Sequence, residues 1–199
     1  MSARCFLGEP MPSSGGWTPE RMNRVGFVVG CCGFALAALA WLCPSRLVLQ
    51  GRPEHSVPFR VAIRLDSPAM WHVGDLVEFR VRNLRPYYPP GTSFTKVVAG
   101  RPGDRLELDG RTFRINGAVI GTARTTDSQG RPAWLYHPTP GPDGLCPVTD
   151  TPSRVSSPTR CILPLGTLFV LGVHERSLDS RYWGLVRAEE VTGRVVPLL

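Results

Sequence analysis

Two hydrophobic patterns divide this chain. From Val25 to Cys43 the residues run VGFVVGCCGFALAALAWLC, and no charged side chain interrupts the 19 positions. As a helix that stretch would be about 28 Å long, close to the hydrocarbon thickness of a bilayer. Arg21, Arg24 and Arg46 flank it. Beyond residue 57 the pattern changes to alternation. Phe59-Arg60-Val61-Ala62-Ile63-Arg64-Leu65 and Leu76-Val77-Glu78-Phe79-Arg80-Val81-Arg82 place apolar residues at every second position. A period of two predicts strands with one buried face. Lys96 to Ala99 predicts a short strand ended by an Arg-Pro-Gly-Asp turn. Arg105–Leu108, Thr112–Ile115 and Ala118–Ile120 predict a meander, since Asp109-Gly110 and Asn116-Gly117 are strong hairpin turns. Thr167–Leu171 and Val191–Val196 complete the set, and residues 121–160, rich in Gly, Pro, Ser and Thr, read as an irregular excursion. The expected organisation is a polar tail over 1–24, a transmembrane anchor over 25–43, a linker over 44–57 and an all-β domain over 58–199. That domain is expected to be a folded antiparallel sheet or barrel behind one N-terminal transmembrane helix.

Pro44 and Ser45 after Cys43 make a poor leader-cleavage site, which favours a retained anchor over a removed signal peptide. Gly and Pro, 21 and 20 residues of 199, suit turn-rich β structure. The net charge of +7 comes from arginines scattered singly. Nucleic-acid binding, which calls for a basic cluster, is therefore not expected. The basic residues before the anchor slightly favour a cytoplasmic N-terminus and an extracytoplasmic β domain. Of six cysteines, that domain keeps Cys146 and Cys161. In an oxidising compartment they would close a loop and contribute ~3 kcal/mol; in a reducing one they would be free thiols. No CxxC or paired-His spacing accompanies them, so no metal is expected, and no cofactor motif is present.

One feature bears on chemistry. Of 23 basic residues, only Lys96 is lysine. An arginine stays protonated in a protein, whereas a buried lysine can lose its proton and act as a base. Three stretches accompany it: Leu65-Asp66-Ser67-Pro68-Ala69-Met70-Trp71-His72-Val73-Gly74-Asp75, then Lys96-Val97-Val98-Ala99-Gly100-Arg101-Pro102-Gly103-Asp104, then Gly172-Val173-His174-Glu175-Arg176-Ser177-Leu178-Asp179-Ser180-Arg181-Tyr182-Trp183-Gly184.

Following an apolar anchor in this order, these stretches resemble the type I signal peptidases, membrane-anchored serine–lysine proteases of all-β fold. Among them the chain looks most like the small conjugative-transfer peptidases of the TraF type. The resemblance implies Ser67 as nucleophile, Lys96 as general base, Ser177 as the residue that orients the lysine, and Asp179 paired with Arg181 to hold that loop. The physics suits such a dyad, because a serine hydroxyl needs a base within reach and a desolvated amine can serve. The backbone N–H of Ser67 would be one oxyanion donor. The chain also departs from the family. Pro68 follows the serine directly, Leu65 stands where many relatives carry a second oxyanion donor, Asp66 adjoins the nucleophile, and the last box is one residue shorter. Ser93 is a rival nucleophile by proximity alone. Met70 and Trp71 read equally as a rim facing the bilayer or as core. His55, His72, His137 and His174 have neither triad nor metal spacing.

The resemblance implies a membrane-bound peptidase that matures exported precursors, such as a pilin of a conjugation apparatus, from the periplasmic side of the inner membrane. An acyl-enzyme could be resolved by water or by an amine, so hydrolysis and cyclisation both stay open. The alternative is a non-catalytic member of the same fold, serving as a structural or binding subunit of the transfer apparatus.

Overall fold

The computed structural model describes residues 27–28, 30–35, 46–49, 57, 59, 61–67, 70–82, 84, 87–127, 129–148 and 158–198. The tail expected over 1–24 lies outside them, as does much of the stretch expected to be the anchor. Within that stretch residues 27, 28 and 30–35 are helical and exposed. Among the described residues no helix is long and apolar enough to cross a membrane. The chain divides into two compact units, Met1–Pro44 and Ser45–Leu199.

The second unit is built from antiparallel strands in two sheets. The larger has seven strands, in the order β1 (Arg46–Leu49), β2 (Val61–Leu65), β11 (Val191–Pro197), β3 (Leu76–Arg80), β4 (Ser93–Gly100), β9 (Thr167–Leu171), β10 (Val186–Arg187). The smaller has four, in the order β7 (Ala118–Thr122), β6 (Thr112–Ile115), β5 (Arg105–Asp109), β8 (Thr159–Ile162). Residues 44–57, read above as a linker, contain β1, which pairs with β2 from Arg46↔Arg64 to Leu49↔Val61. Residues 121–160, read as irregular, run into β8, which pairs with β5 at Leu106↔Cys161.

Local chemistry explains the meander. Asn116 and Gly117 both have positive φ (52° and 85°) between the paired Ile115 and Ala118. That is the two-residue turn whose twist matches the strands it joins. Leu106, Leu108, Phe113, Cys161, Leu163 and Phe169 form the main core between the sheets. Full burial of a side chain of that size contributes roughly 1.5–3 kcal/mol. The Cys146–Cys161 disulfide is formed. With the bonds Cys146 N–H to the Ile162 carbonyl (2.8 Å) and Ile162 N–H to the Gly144 carbonyl (3.0 Å), it ties the Gly144–Cys146 part of the excursion to β8. A second core, of Val77, Phe79, Val98, Leu168, Val170 and Val186, covers one face of the larger sheet. That face also holds the candidate site.

Candidate active site

Strand register places Lys96. It pairs with Val77, while Phe79 pairs with Phe94 and Val98 with Val170. Directly paired side chains share a face, and residues two apart on a strand share it too. Lys96 therefore stands in the apolar face, between Phe94 and Val98 along its own strand, and it is 1% exposed. Its Nζ lies 5.3 Å from the Phe94 ring centroid. That ring is fixed in turn: Trp183 stacks on it at 5.6 Å and Tyr88 meets it edge-on at 4.9 Å. Burial lowers the Lys96 pKa from 10.5 to about 8; the Asp179 carboxylate pulls it up and the Arg181 guanidinium pulls it down.

The loop from β9 to the short helix α1 (Ser180–Trp183) supplies the partners. Lys96 Nζ donates to Ser177 Oγ at 2.6 Å. Ser177 is buried, and its own N–H closes a turn onto the His174 carbonyl (3.0 Å). Asp179, fully buried, caps α1 by accepting from the Arg181 N–H (3.2 Å). It also accepts from the Gly172 N–H (3.0 Å) and from Arg181 Nε and Nη2 (2.8 and 2.7 Å). Arg181 Nη1 reaches the Thr122 carbonyl at 3.1 Å, so this one side chain links the loop to β7 of the smaller sheet. Ser180 Oγ accepts from the Val170 N–H at 2.9 Å. The loop is thus pinned to β9 at both ends.

Gly172 was not singled out from sequence, yet it leaves the space in which the contact forms. A Cβ there would meet Ser177 Oγ at 1.9 Å, Ser177 Cβ at 2.2 Å and Lys96 Nζ at 3.4 Å. Its position at the head of the last box was the one signal available. Beside Lys96 and Ser177 opens a cavity of about 380 Å³, walled by Tyr88, Phe94 and Trp134 among others. Trp134 comes from the excursion, and nothing in the sequence pattern assigned it to the site.

The structure thus gathers Lys96, Ser177, Asp179 and Arg181 into one buried group. Ser67 is exposed, two residues past the end of β2, and lies outside that group. Across the sheet Leu65, Arg194, Val77 and Lys96 fall on one line of register. At strand spacing, Leu65 and Lys96 are roughly 14 Å apart. The chain then leaves the sheet and returns to β3 on the lysine's face, where Trp71 packs against the second core. Gly74 N–H meets the Val98 carbonyl at 2.8 Å as β3 begins. Asp75, bonded to the His72 N–H (2.9 Å) and to Arg194 (2.7 Å), holds the end of this loop. Met70 is 67% exposed, so the two residues do not both belong to the core. Asp66 is exposed. Pro68 and Ala69 lie outside the described residues. Ser93 falls on the opposite face of β4 and donates to Glu78, which removes it as a nucleophile for Lys96.

The arrangement offers a base without a histidine: a desolvated amine, aimed by a buried hydroxyl, beside an open cavity. Comparison with known proteins gives a family for the chain. The family described as signal peptidase, peptidase S26, matches residues 21–199. No curated protein is matched by the chain. Among solved structures, a signal peptidase I from Enterococcus faecalis V583 is similar, at 23% identity; the alignment covers 64% of this chain and 97% of that one, with a TM-score of 0.36.

Proposed function

This chain belongs to the signal peptidase family, peptidase S26, whose members process exported precursor proteins, and from that premise we propose that it is a serine endopeptidase working through Ser67 and Lys96. The loop after β2 must carry Ser67 to Lys96, since Ser67 lies outside the buried group; there its Oγ attacks the scissile carbonyl while neutral Lys96 Nζ takes the hydroxyl proton. Collapse of the tetrahedral intermediate expels the new amine, to which Lys96 returns that proton. Water or a second amine then releases the acyl group from Ser67. In this reading Ser177, whose Oγ accepts from Lys96 Nζ at 2.6 Å, aims the lysine.

One observation carries the reading: the buried amine of Lys96 has a pKa of about 8 and a hydroxyl partner at 2.6 Å. At neutral pH about a tenth of such amines are unprotonated, roughly 300-fold more than for an ordinary lysine. The apolar stretch 25–43 supports an anchor in the bacterial inner membrane with the β unit on the periplasmic side. The disulfide agrees with an oxidising compartment. The small unit and its boxes favour a conjugative-transfer or type IV secretion precursor, such as a pilin, as substrate.

The test is to incubate the purified chain with precursors encoded beside it and to weigh the products. Cleavage should vanish in Ser67→Ala, Lys96→Ala and Lys96→Arg, the last because a guanidinium keeps its proton. Normal processing by Lys96→Arg would sink the dyad, whereas normal transfer or secretion by cells carrying Lys96→Arg, with no cleavage by any form, would favour a non-catalytic subunit of the transfer apparatus. Loss of the mass of one water from the product would identify cyclisation.

A further inference from the structure

The cavity beside Lys96 carries more charge than its apolar walls need. Arg124 and Arg176 line it, both exposed, together with Asp127. Asp127 is the one acid among its described lining residues, and its oxygens are already occupied. They accept from Arg131 Nε (2.8 Å), the Arg131 N–H (2.9 Å), the Gln129 N–H (2.8 Å) and Tyr87 Oη (2.9 Å). Neither Arg124 nor Arg176 has a carboxylate partner among the described residues. Their backbones, by contrast, are held. The Arg124 N–H donates to Tyr182 Oη (3.1 Å), and the Arg176 N–H donates to His174 Nδ1 (3.0 Å). Two guanidiniums fixed at their roots thus share one aromatic-walled cavity with the catalytic amine. A guanidinium fork matches a carboxylate in shape and charge. An anion here would also relieve the repulsion between like charges.

We propose that this cavity is a substrate subsite that selects a carboxylate close to the scissile bond of the precursor, read by Arg124 and Arg176, with an apolar side chain against Tyr88, Phe94 and Trp134. The inference rests on the peptidase reading and deepens it by naming the substrate class. The carboxylate can belong to a Glu or Asp side chain or to the substrate's own C-terminus.

The test uses the full-length chain in mild detergent and four peptides that share one small-residue cleavage sequence. One is neutral and C-terminally amidated, one carries an added Glu, one ends in a free carboxylate, and one carries an added Lys. Wild-type protein should cleave a carboxylate peptide about tenfold more efficiently than the neutral one, by kcat/KM. Rising salt should erode that ratio. The double variant Arg124→Glu/Arg176→Glu should reverse it, favouring the Lys peptide. Comparing the Glu peptide with the free-acid peptide identifies the carboxylate's source. A wild-type ratio near one, or a ratio that the double variant leaves intact, overturns the proposal. If no peptide is cleaved, the peptidase reading is what suffers, and binding still decides the subsite. Fluorescence anisotropy of labelled peptides on Ser67→Ala should show tighter binding of carboxylate than of amide, and equal Kd values would refute it.

Discussion

Replacing Lys96 by Met asks directly whether the site holds a neutral amine. Methionine nearly matches lysine in length and carries no charge, so packing against Phe94 and Val98 is preserved. The folded protein holds the amine at a pKa of about 8, against 10.5 in the unfolded chain. Between those values the unfolded chain keeps a proton that the folded chain has released, so stability rises with pH across this window. Below pH 8 the penalty for burying the ammonium is fully in place; above 10.5 it is gone. The difference corresponds to ~3 kcal/mol. Against it stands the lost bond to Ser177, worth about 1–3 kcal/mol with the charged donor. Lys96→Met should therefore be as stable as wild type or more so at pH 7. Its advantage over wild type should fall by ~3 kcal/mol as pH climbs through the window.

Urea unfolding of the full-length chain in mild detergent, followed by tryptophan fluorescence, measures both proteins. Taking the difference cancels other groups, notably Tyr87 and Tyr136, whose pKa values burial raises and whose titration opposes stability at the alkaline end in both proteins. A difference that stays flat from about pH 7 to 10 would mean that Lys96 titrates as an ordinary lysine. The general-base mechanism would then lose its foundation.

Three further outcomes are expected. The rate kcat/KM should climb about tenfold per pH unit in acid and level off near pH 8, as the amine loses its proton; a plateau reached already near pH 6 would exclude Lys96 as the base. Gly172→Ala should push Ser177 from its place, since the added Cβ falls 1.9 Å from Ser177 Oγ. Its cost should be ~1–3 kcal/mol in unfolding experiments, with kcat reduced at least tenfold, and unchanged kcat would remove Ser177 as the lysine's guide. Arg181→Met should strand the fully buried Asp179 and cost about 3–5 kcal/mol; a loss below about 1 kcal/mol would show that the loop is held by other means.

Much of the β unit was legible because its strands obey local rules. Thr112–Ile115 falls where alternation and turn residues put it, and Thr167–Leu171 where a short apolar run after a Pro-Leu-Gly turn does. The elements that escaped are those whose cause is tertiary. β8 is a four-residue strand, preceded by Pro152, Ser153, Ser156, Ser157 and Pro158, and its pairing with β5 and its disulfide outweigh that composition. β1 and α1, each four residues long, are too short for a period to register. Lys96 stood out because the chain uses arginine everywhere else. The Asp179–Arg181 pair was readable only through the family resemblance, since residues two apart in a loop carry no geometric expectation. Arg124 and Trp134 were unreadable as site residues, because only folding of the excursion brings them beside Lys96.

The ion pair beneath the site explains how a lysine beside a buried carboxylate can still give up its proton. Asp179 alone would hold the ammonium on Lys96, because an opposite charge nearby favours the charged form. Arg181 lies against that carboxylate through two guanidinium nitrogens, and a third nitrogen bonded to Thr122 keeps the side chain from swinging away. Seen from Lys96, the two charges oppose each other, and desolvation by the apolar face decides the outcome. Buried ion pairs are weak contributors to stability when set against apolar packing. This one does two other things. It fixes the loop that presents Ser177 to the amine, and it keeps a net negative field away from a group that must become neutral to serve as the proposed base.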